Sequence, residues 1–276
     1  MRLKRRLMLL VTMLALLAVA IPPAGAITNG ELDGDGHPHV VLILMEVDNE
    51  PAFRCSGTLI APTFVLTAGH CTNGYPDDVF SGMRIFLDSD VDGGRGITNN
   101  YPFGGGNTVE ALRWAAHPLY ETAPFFVHDV GMIELARPVV LPEYGELPAI
   151  DSLDQLATKR GKQNQTFTAV GYGLQQINPV FVQGARVRMV AYPKLNMINA
   201  PGFTGDYSLL LSNNHSTGGT CFGDSGGANF LGDSNVVAAV TSFGINGNCA
   251  GTGGVFRTDR ENVQEFIHDF MNHTQS

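Results

Sequence analysis

The chain has 276 residues, 17 basic and 26 acidic side chains and a formal charge of −9. That acidity argues against nucleic acid and anionic membrane surfaces as partners. The length suits one or two domains with a sizeable core.

In chain order, Arg2, Lys4, Arg5 and Arg6 make a basic start, Leu7 to Ile21 an apolar run, and Ala24-Gly25-Ala26 a small-residue cleavage site. This is the pattern of a secretory signal over residues 1–26. The run of 15 residues is shorter than the roughly 18 expected of a spanning helix, and no later stretch is apolar enough. The segment from Ile27 on is therefore expected to be secreted, extracellular and free of the membrane. Removing the signal takes away four basic and no acidic residues and leaves a charge of −13.

Short apolar or β-branched runs follow: Val40–Met45, Gly57–Ile60, Phe64–Thr67, Met83–Leu87, Val109–Trp114 and Val130–Leu135. After them come Thr166–Val170, Ala185–Ala191, Ser208–Leu211 and Val236–Thr241. Ala185, Val187 and Met189 alternate with Arg186 and Arg188, the period of a half-buried strand. Asp88 to Asn107 reads as a long loop, and Leu141 to Gln165, with Pro142 and Pro148, as a linker. Val263, Phe266, Ile267, Phe270 and Met271 recur at helical spacing, with Thr258 or Asp259 as caps. Many strands divided by Gly and Pro turns predict an all-β sandwich or barrel.

The chemistry concentrates in three motifs. Gly223-Asp224-Ser225-Gly226-Gly227-Ala228 sets a serine among turn-forming residues, where backbone N–H groups can converge on an oxyanion. A serine hydroxyl needs a base, and the base needs a group that fixes its tautomer. Ala68-Gly69-His70-Cys71 offers the base, and His128-Asp129-Val130 the acid. Four cysteines in an exported chain imply disulfides, with three pairings open.

Thr67-Ala68-Gly69-His70-Cys71, Asp129-Val130-Gly131-Met132-Ile133-Glu134-Leu135 and Gly223-Asp224-Ser225-Gly226-Gly227 resemble the chymotrypsin/trypsin-like serine proteases. The order is that family's, with steps of 59 and 96 residues, and the resemblance runs from about Ile27 to the C-terminus. It implies two six-stranded antiparallel β-barrels packed face to face, about 27–145 and 160–258, then a helix at about 259–272 packed on the second barrel. It implies a serine endopeptidase acting on protein or peptide substrates, with no metal or organic cofactor needed. His70 would be the general base, Asp129 its partner and Ser225 the nucleophile, with Ser242 beside Asp129. The N–H groups of Gly223 and Ser225 would form the oxyanion hole. The resemblance favours the disulfides Cys55–Cys71 and Cys221–Cys249. It also implies that a new N-terminus at Ile27 pairs with Asp224 and orders the oxyanion hole.

By the same resemblance Gly219, Thr220, Ser242, Phe243, Gly244 and Gly254 would line the specificity pocket. No acid stands at Gly219, so a substrate cation would lack a partner there. Glycine walls leave room for a large apolar side chain, a chymotrypsin-like preference. Tyr172 and Phe243 stand where tryptophans are common in the family.

Asp88, Asp90 and Asp92 resemble the start of a Ca2+-binding EF-hand loop, but its twelfth position is Asn99. Solvated acids are the plainer reading. The pattern Gly223-x-Ser225-x-Gly227 also fits an α/β-hydrolase elbow, but too little chain follows it for the Asp and His to come after the serine. The remaining alternative is a catalytically silent secreted binding protein on a protease scaffold.

Overall fold

Alternation with period two builds most of the chain. A computed structural model describes residues 27–74, 79–91, 100–103, 107–120, 124, 127–157, 164–178 and 181–273. The signal expected over 1–26 lies outside these residues. The first half holds β1 (Glu31–Leu32), β2 (Val40–Val47), β3 (Glu50–Ala61), β4 (Phe64–Thr67), β5 (Phe80–Phe86), β6 (Thr108–Ala116) and β7 (Gly131–Leu135). A single helical turn, α1 (His70–Asn73), follows β4. Strands β2-β3-β4-β7-β6-β5 close an antiparallel barrel. The continuous apolar run of β2 is buried on both faces. Val41, Ile43 and Met45 fill the barrel with Leu59, Val65 and Ile133. Val40, Leu42 and Leu44 face outward into a second core shared with Val170, Phe230 and Val240 of the other half.

That half holds β8 (Phe167–Gly171), β9 (Gln176–Asn178), β10 (Phe181–Gln183), β11 (Met189–Ala191), β12 (Leu195–Ile198), β13 (Ser208–Asn213), β14 (Ala228–Leu231), β15 (Val237–Gly244) and β16 (Gly251–Arg257). Where the second barrel is expected, a half-barrel forms from an eight-stranded sheet ordered β1-β11-β8-β14-β15-β16-β13-β12. β12 at one end and β11, next to the other end, are pieces of one segment interrupted near Pro193. Lys194 still bridges Thr166 beside β8, and Leu195 pairs with Leu211 of β13. The segment thus curls the sheet without a continuous ladder. β1 adds at the edge through Glu31 and Val190.

Three local expectations are corrected. The strand expected over Ala185–Ala191 forms only as β11, because Arg188 turns inward and is 1 % exposed. Its guanidinium donates to Asp33 at 2.8 Å and to the carbonyls of Val40 and Gly34. The closing helix, α2 (Glu261–Asn272), has Arg260 at its N-cap and no side-chain cap. Asp259 is taken by Arg257 at 2.7 Å, and the Thr258 hydroxyl donates to Val237 O. Finally, α2 reaches the first barrel as well as the second half. Arg113 of β6 donates to Phe270 O at 2.6 Å, with its guanidinium 3.8 Å from that ring's centre, while Phe64 packs edge-on at 6.2 Å.

Candidate active site

β3 and β15 clamp the serine turn between the two halves. Ser56 N donates to Ser225 O at 2.8 Å, and Gly226 N donates to Thr241 O at 2.8 Å. Gly226 has φ +77°, and a Cβ there would overlap Thr67 Oγ1 and stand 2.5 Å from Ser56 O. Gly226→Ala is therefore expected to destabilise the fold by about 3 kcal/mol, a Tm drop of roughly 6–12 °C. An unchanged thermal melt would show that this close approach is not rigid.

His70 and Asp129 are brought together from β4–α1 and from the entry to β7. The disulfide Cys55–Cys71 ties α1 to β3. His128, at φ +59°, turns the chain just before Asp129. Asp129 is fully buried, and its carboxylate accepts from His70 N at 2.9 Å and from Ser242 Oγ at 2.5 Å. His70 Nδ1 lies 3.0 and 3.1 Å from its two oxygens. An ionised carboxylate only accepts, so Nδ1 carries the proton and Nε2 keeps a lone pair. The His70 side chain is 25 % exposed. Burial works to lower its pKa, but the charge and hydrogen bond of Asp129 prevail, and the net shift is upward.

Ser225 is half-buried on the adjoining turn. Among the described residues no hydrogen bond joins its hydroxyl to His70. The N–H groups of Gly223 and Ser225 donate to no protein acceptor among the described residues, whereas those of Asp224, Gly226 and Gly227 all do. Two donors left open on either side of Asp224 suit a developing oxyanion. Ser56, which no sequence motif singles out, donates its hydroxyl to Gly223 O at 3.0 Å and accepts from Tyr172 N at 3.0 Å. It fixes the turn from behind.

Asp224 is fully buried. Its carboxylate accepts from Gly173 N at 2.7 Å and Cys221 N at 2.8 Å, and a Cβ on Gly171 or Gly173 would collide with it. Burial pushes its pKa up to about 7, against the opposing pull of those two N–H groups and the Arg54 charge. Ile27 is buried with Ala169, Met189 and Ala191. Met189 pairs with Gly171, which borders Asp224, and Thr28 bridges Gly219. The second disulfide, Cys221–Cys249, joins the start of the serine turn to the loop before β16.

The residues expected to form the pocket gather around β15 and β16, but the room expected at two glycines is filled. The Asn213 amide occupies the space beside Gly219, held by Thr28 Oγ1 at 2.8 Å and by Thr220 O at 2.8 Å. The Phe243 ring lies across Gly254. Only Gly244 of the three presents an open face, with Asn246 O as its nearest neighbour at 3.4 Å. Of the three aspartates weighed for Ca2+, Asp88 accepts from Asn107 at 3.2 Å, Asp90 bridges Val187, and Asp92 lies outside the described residues.

Comparison with known proteins shows the family. The trypsin family model matches residues 33–267. Scolexin B of Heliothis virescens is 31 % identical over 150 residues, covering 50 % of this chain and 41 % of that protein, so the match spans less than half of that relative. Chymotrypsin of Phaedon cochleariae is 24 % identical over 263 residues, covering 92 % of this chain and 84 % of its own length. The solved structure of HL collagenase superposes with a TM-score of 0.67 at 21 % identity, over 90 % of this chain and all of that one. With a family match over most of its length, and with His, Asp and Ser in that family's order, the chain belongs to the trypsin family of serine endopeptidases.

Proposed function

We propose that the segment from Ile27 onward is a secreted endopeptidase that cleaves peptide bonds through an acyl-enzyme. One observation carries this reading: the buried Asp129 carboxylate that fixes His70 with Nε2 available, facing a turn whose Gly223 and Ser225 N–H groups are open. Ser225 attacks the scissile carbonyl, His70 takes its proton and hands it to the leaving amine, and water then clears the acyl group. Asp129 and Ser242 stabilise the imidazolium. No helix among the described residues is long and apolar enough to cross a membrane.

Preference is for uncharged P1 side chains, apolar ones foremost. The Asn213 amide at Gly219 supplies no charge to hold a substrate cation. With Phe243 across Gly254, a large P1 group must displace that ring or lie along Gly244.

A fluorophosphonate tests the nucleophile. It is expected to label Ser225, with a rate that climbs as pH rises through the His70 pKa. That pKa lies above the ordinary 6.5, and only the neutral imidazole accepts a proton. Absence of labelling in folded protein starting at Ile27 would support the silent binding protein instead. A labelling rate indifferent to pH between 5 and 8 would remove His70 as the base.

A further inference from the structure

Asp129 leaves the chain from a tight turn. His128 before it has φ +59°, and Val130 N donates back to His128 O at 2.8 Å. Few residue types take that φ, and histidine is one of them. The His128 ring is held on three sides. It stacks on His117 with ring centres 4.6 Å apart and 12° between the planes. Tyr207 stands 5.1 Å away at a tilt. Asn262, the second residue of α2, donates its side-chain amide to His128 Nδ1 at 3.2 Å. That nitrogen accepts, so Nε2 carries the proton. His117 is fixed in turn. Its Nδ1 accepts from Leu119 N at 3.1 Å, and its ring meets Phe266 of α2 edge-on at 5.3 Å. His117 is 6 % exposed and His128 8 %. Burial lowers the pKa of both, and the charge of His128 lowers that of His117 further, against an upward pull from the Asn262 backbone. Both rings are therefore neutral at pH 7 and stack without repulsion.

These contacts lie one residue from the carboxylate that fixes His70. The other neighbour of Asp129 is tied to the same histidine, because His117 N donates to Val130 O at 2.9 Å. His117 thus holds residue 128 with its ring and residue 130 with its backbone. The start of α2 is anchored as well. Arg260 donates to Asp151 at 2.5 Å, and the Gln264 side chain to Pro148 O at 2.6 Å. A continuous set of packed groups therefore runs from the segment around Pro148 through α2 to Asp129. It acts on the chemistry through position, and a displacement of about 1 Å in such a group can cost up to 10²-fold in rate.

We propose that His128 is a positioning residue for Asp129, held by His117 and by Asn262 of α2, so that the C-terminal helix takes part in aligning the catalytic histidine. The effect on rate rests on the endopeptidase reading, while the effect on the His70–Asp129 pair can be read without turnover. Both are measured on protein beginning at Ile27. Activity per fluorophosphonate-titrated site gives kcat and KM. NMR of isotope-labelled histidine gives the titration of His70, identified by its loss in His70→Gln. Asn262→Ala releases the His128 ring and leaves the backbone at 128 unaltered. It is expected to lower kcat about tenfold with KM unchanged. The His70 midpoint should come down from above 6.5 as the Asp129 charge moves off. His128→Ala should lower kcat about 10²-fold. His128→Asn accepts a positive φ and can still accept from Asn262, so it should recover most of that loss. A residue that only supported the fold would change the melting temperature and the titrated fraction, and leave kcat per site and the His70 midpoint where they were. Asn262→Ala carries the test if His128→Ala fails to fold. If fluorophosphonate labels no unsubstituted protein, the endopeptidase reading fails, and the His70 midpoint still decides the alignment. An Asn262→Ala protein with kcat and His70 midpoint both unmoved would overturn the positioning role. So would a His128→Asn protein as impaired as His128→Ala.

Discussion

Replacing Ser225 with alanine is expected to lower kcat/KM for peptide hydrolysis by about 10⁶, with KM nearly unchanged. The substitution removes one oxygen at a half-buried site. It leaves Ser56 N bonded to the carbonyl of residue 225, and Gly226 N to Thr241 O. The fold and the two open N–H donors therefore persist, and so does substrate binding. What disappears is the only group able to form the acyl bond. Residual turnover would come from oriented donors acting on water, as happens when a triad member is lost elsewhere. The measurement is a kcat/KM ratio on protein free of unsubstituted enzyme, with a thermal melt to show an intact fold. A variant that keeps a tenth or more of the activity would move the nucleophile to another residue.

The parts of this site that could be read from sequence are those where chemistry demands a residue type. A nucleophile, a base and an acid in a fixed order leave short, specific motifs, and His70 and Ser242 both lie within hydrogen-bond distance of Asp129. The strands of the first barrel were legible because β2 to β7 carry dense apolar runs. What escaped depends on contacts between distant residues. Ser56 binds Tyr172 across 116 residues of sequence and Gly223 across 167. Arg188, placed by alternation on a solvent face, is drawn inside by Asp33, 155 residues away. Asn213 takes the space at Gly219 because Thr28 and Thr220 hold its amide there. A missing side chain at a glycine says that something comes close; it does not say whether that something is substrate or the chain itself. The second sheet's interrupted edge near Pro193 follows the same logic, since strand periodicity cannot register where a ladder breaks.

Freeing the amino group of Ile27 is expected to raise kcat/KM by about 10²–10³, the range that an oxyanion-hole donor carries. Asp224 separates the two open N–H groups, so the position of its carboxylate sets theirs. In the uncut chain that carboxylate is buried among backbone donors, with no ion pair among the described residues, and its pKa rises to about 7. Such a group straddles neutrality and is a weak anchor. Ile27 meanwhile has φ +61°, a conformation that β-branched residues strongly avoid. Cleavage before Ile27 removes the preceding carbonyl that makes this φ costly, and it creates an ammonium on a residue packed against Ala169 and Met189, the latter paired with the Gly171 that borders Asp224. The pair would hold Asp224 ionised well below pH 7 and hold the ammonium charged above its ordinary value near 8. Activity should then fall as alkaline pH strips the ammonium, because the carboxylate loses its partner. Protein starting at Ile27 should show that alkaline limb, and protein retaining Ala26 should have low activity without it. Asp224→Asn should abolish the difference between the two, since neither terminus then finds a charge to pair with. Equal kcat/KM for chains beginning at Ala26 and at Ile27 would break the link between this terminus and the oxyanion donors.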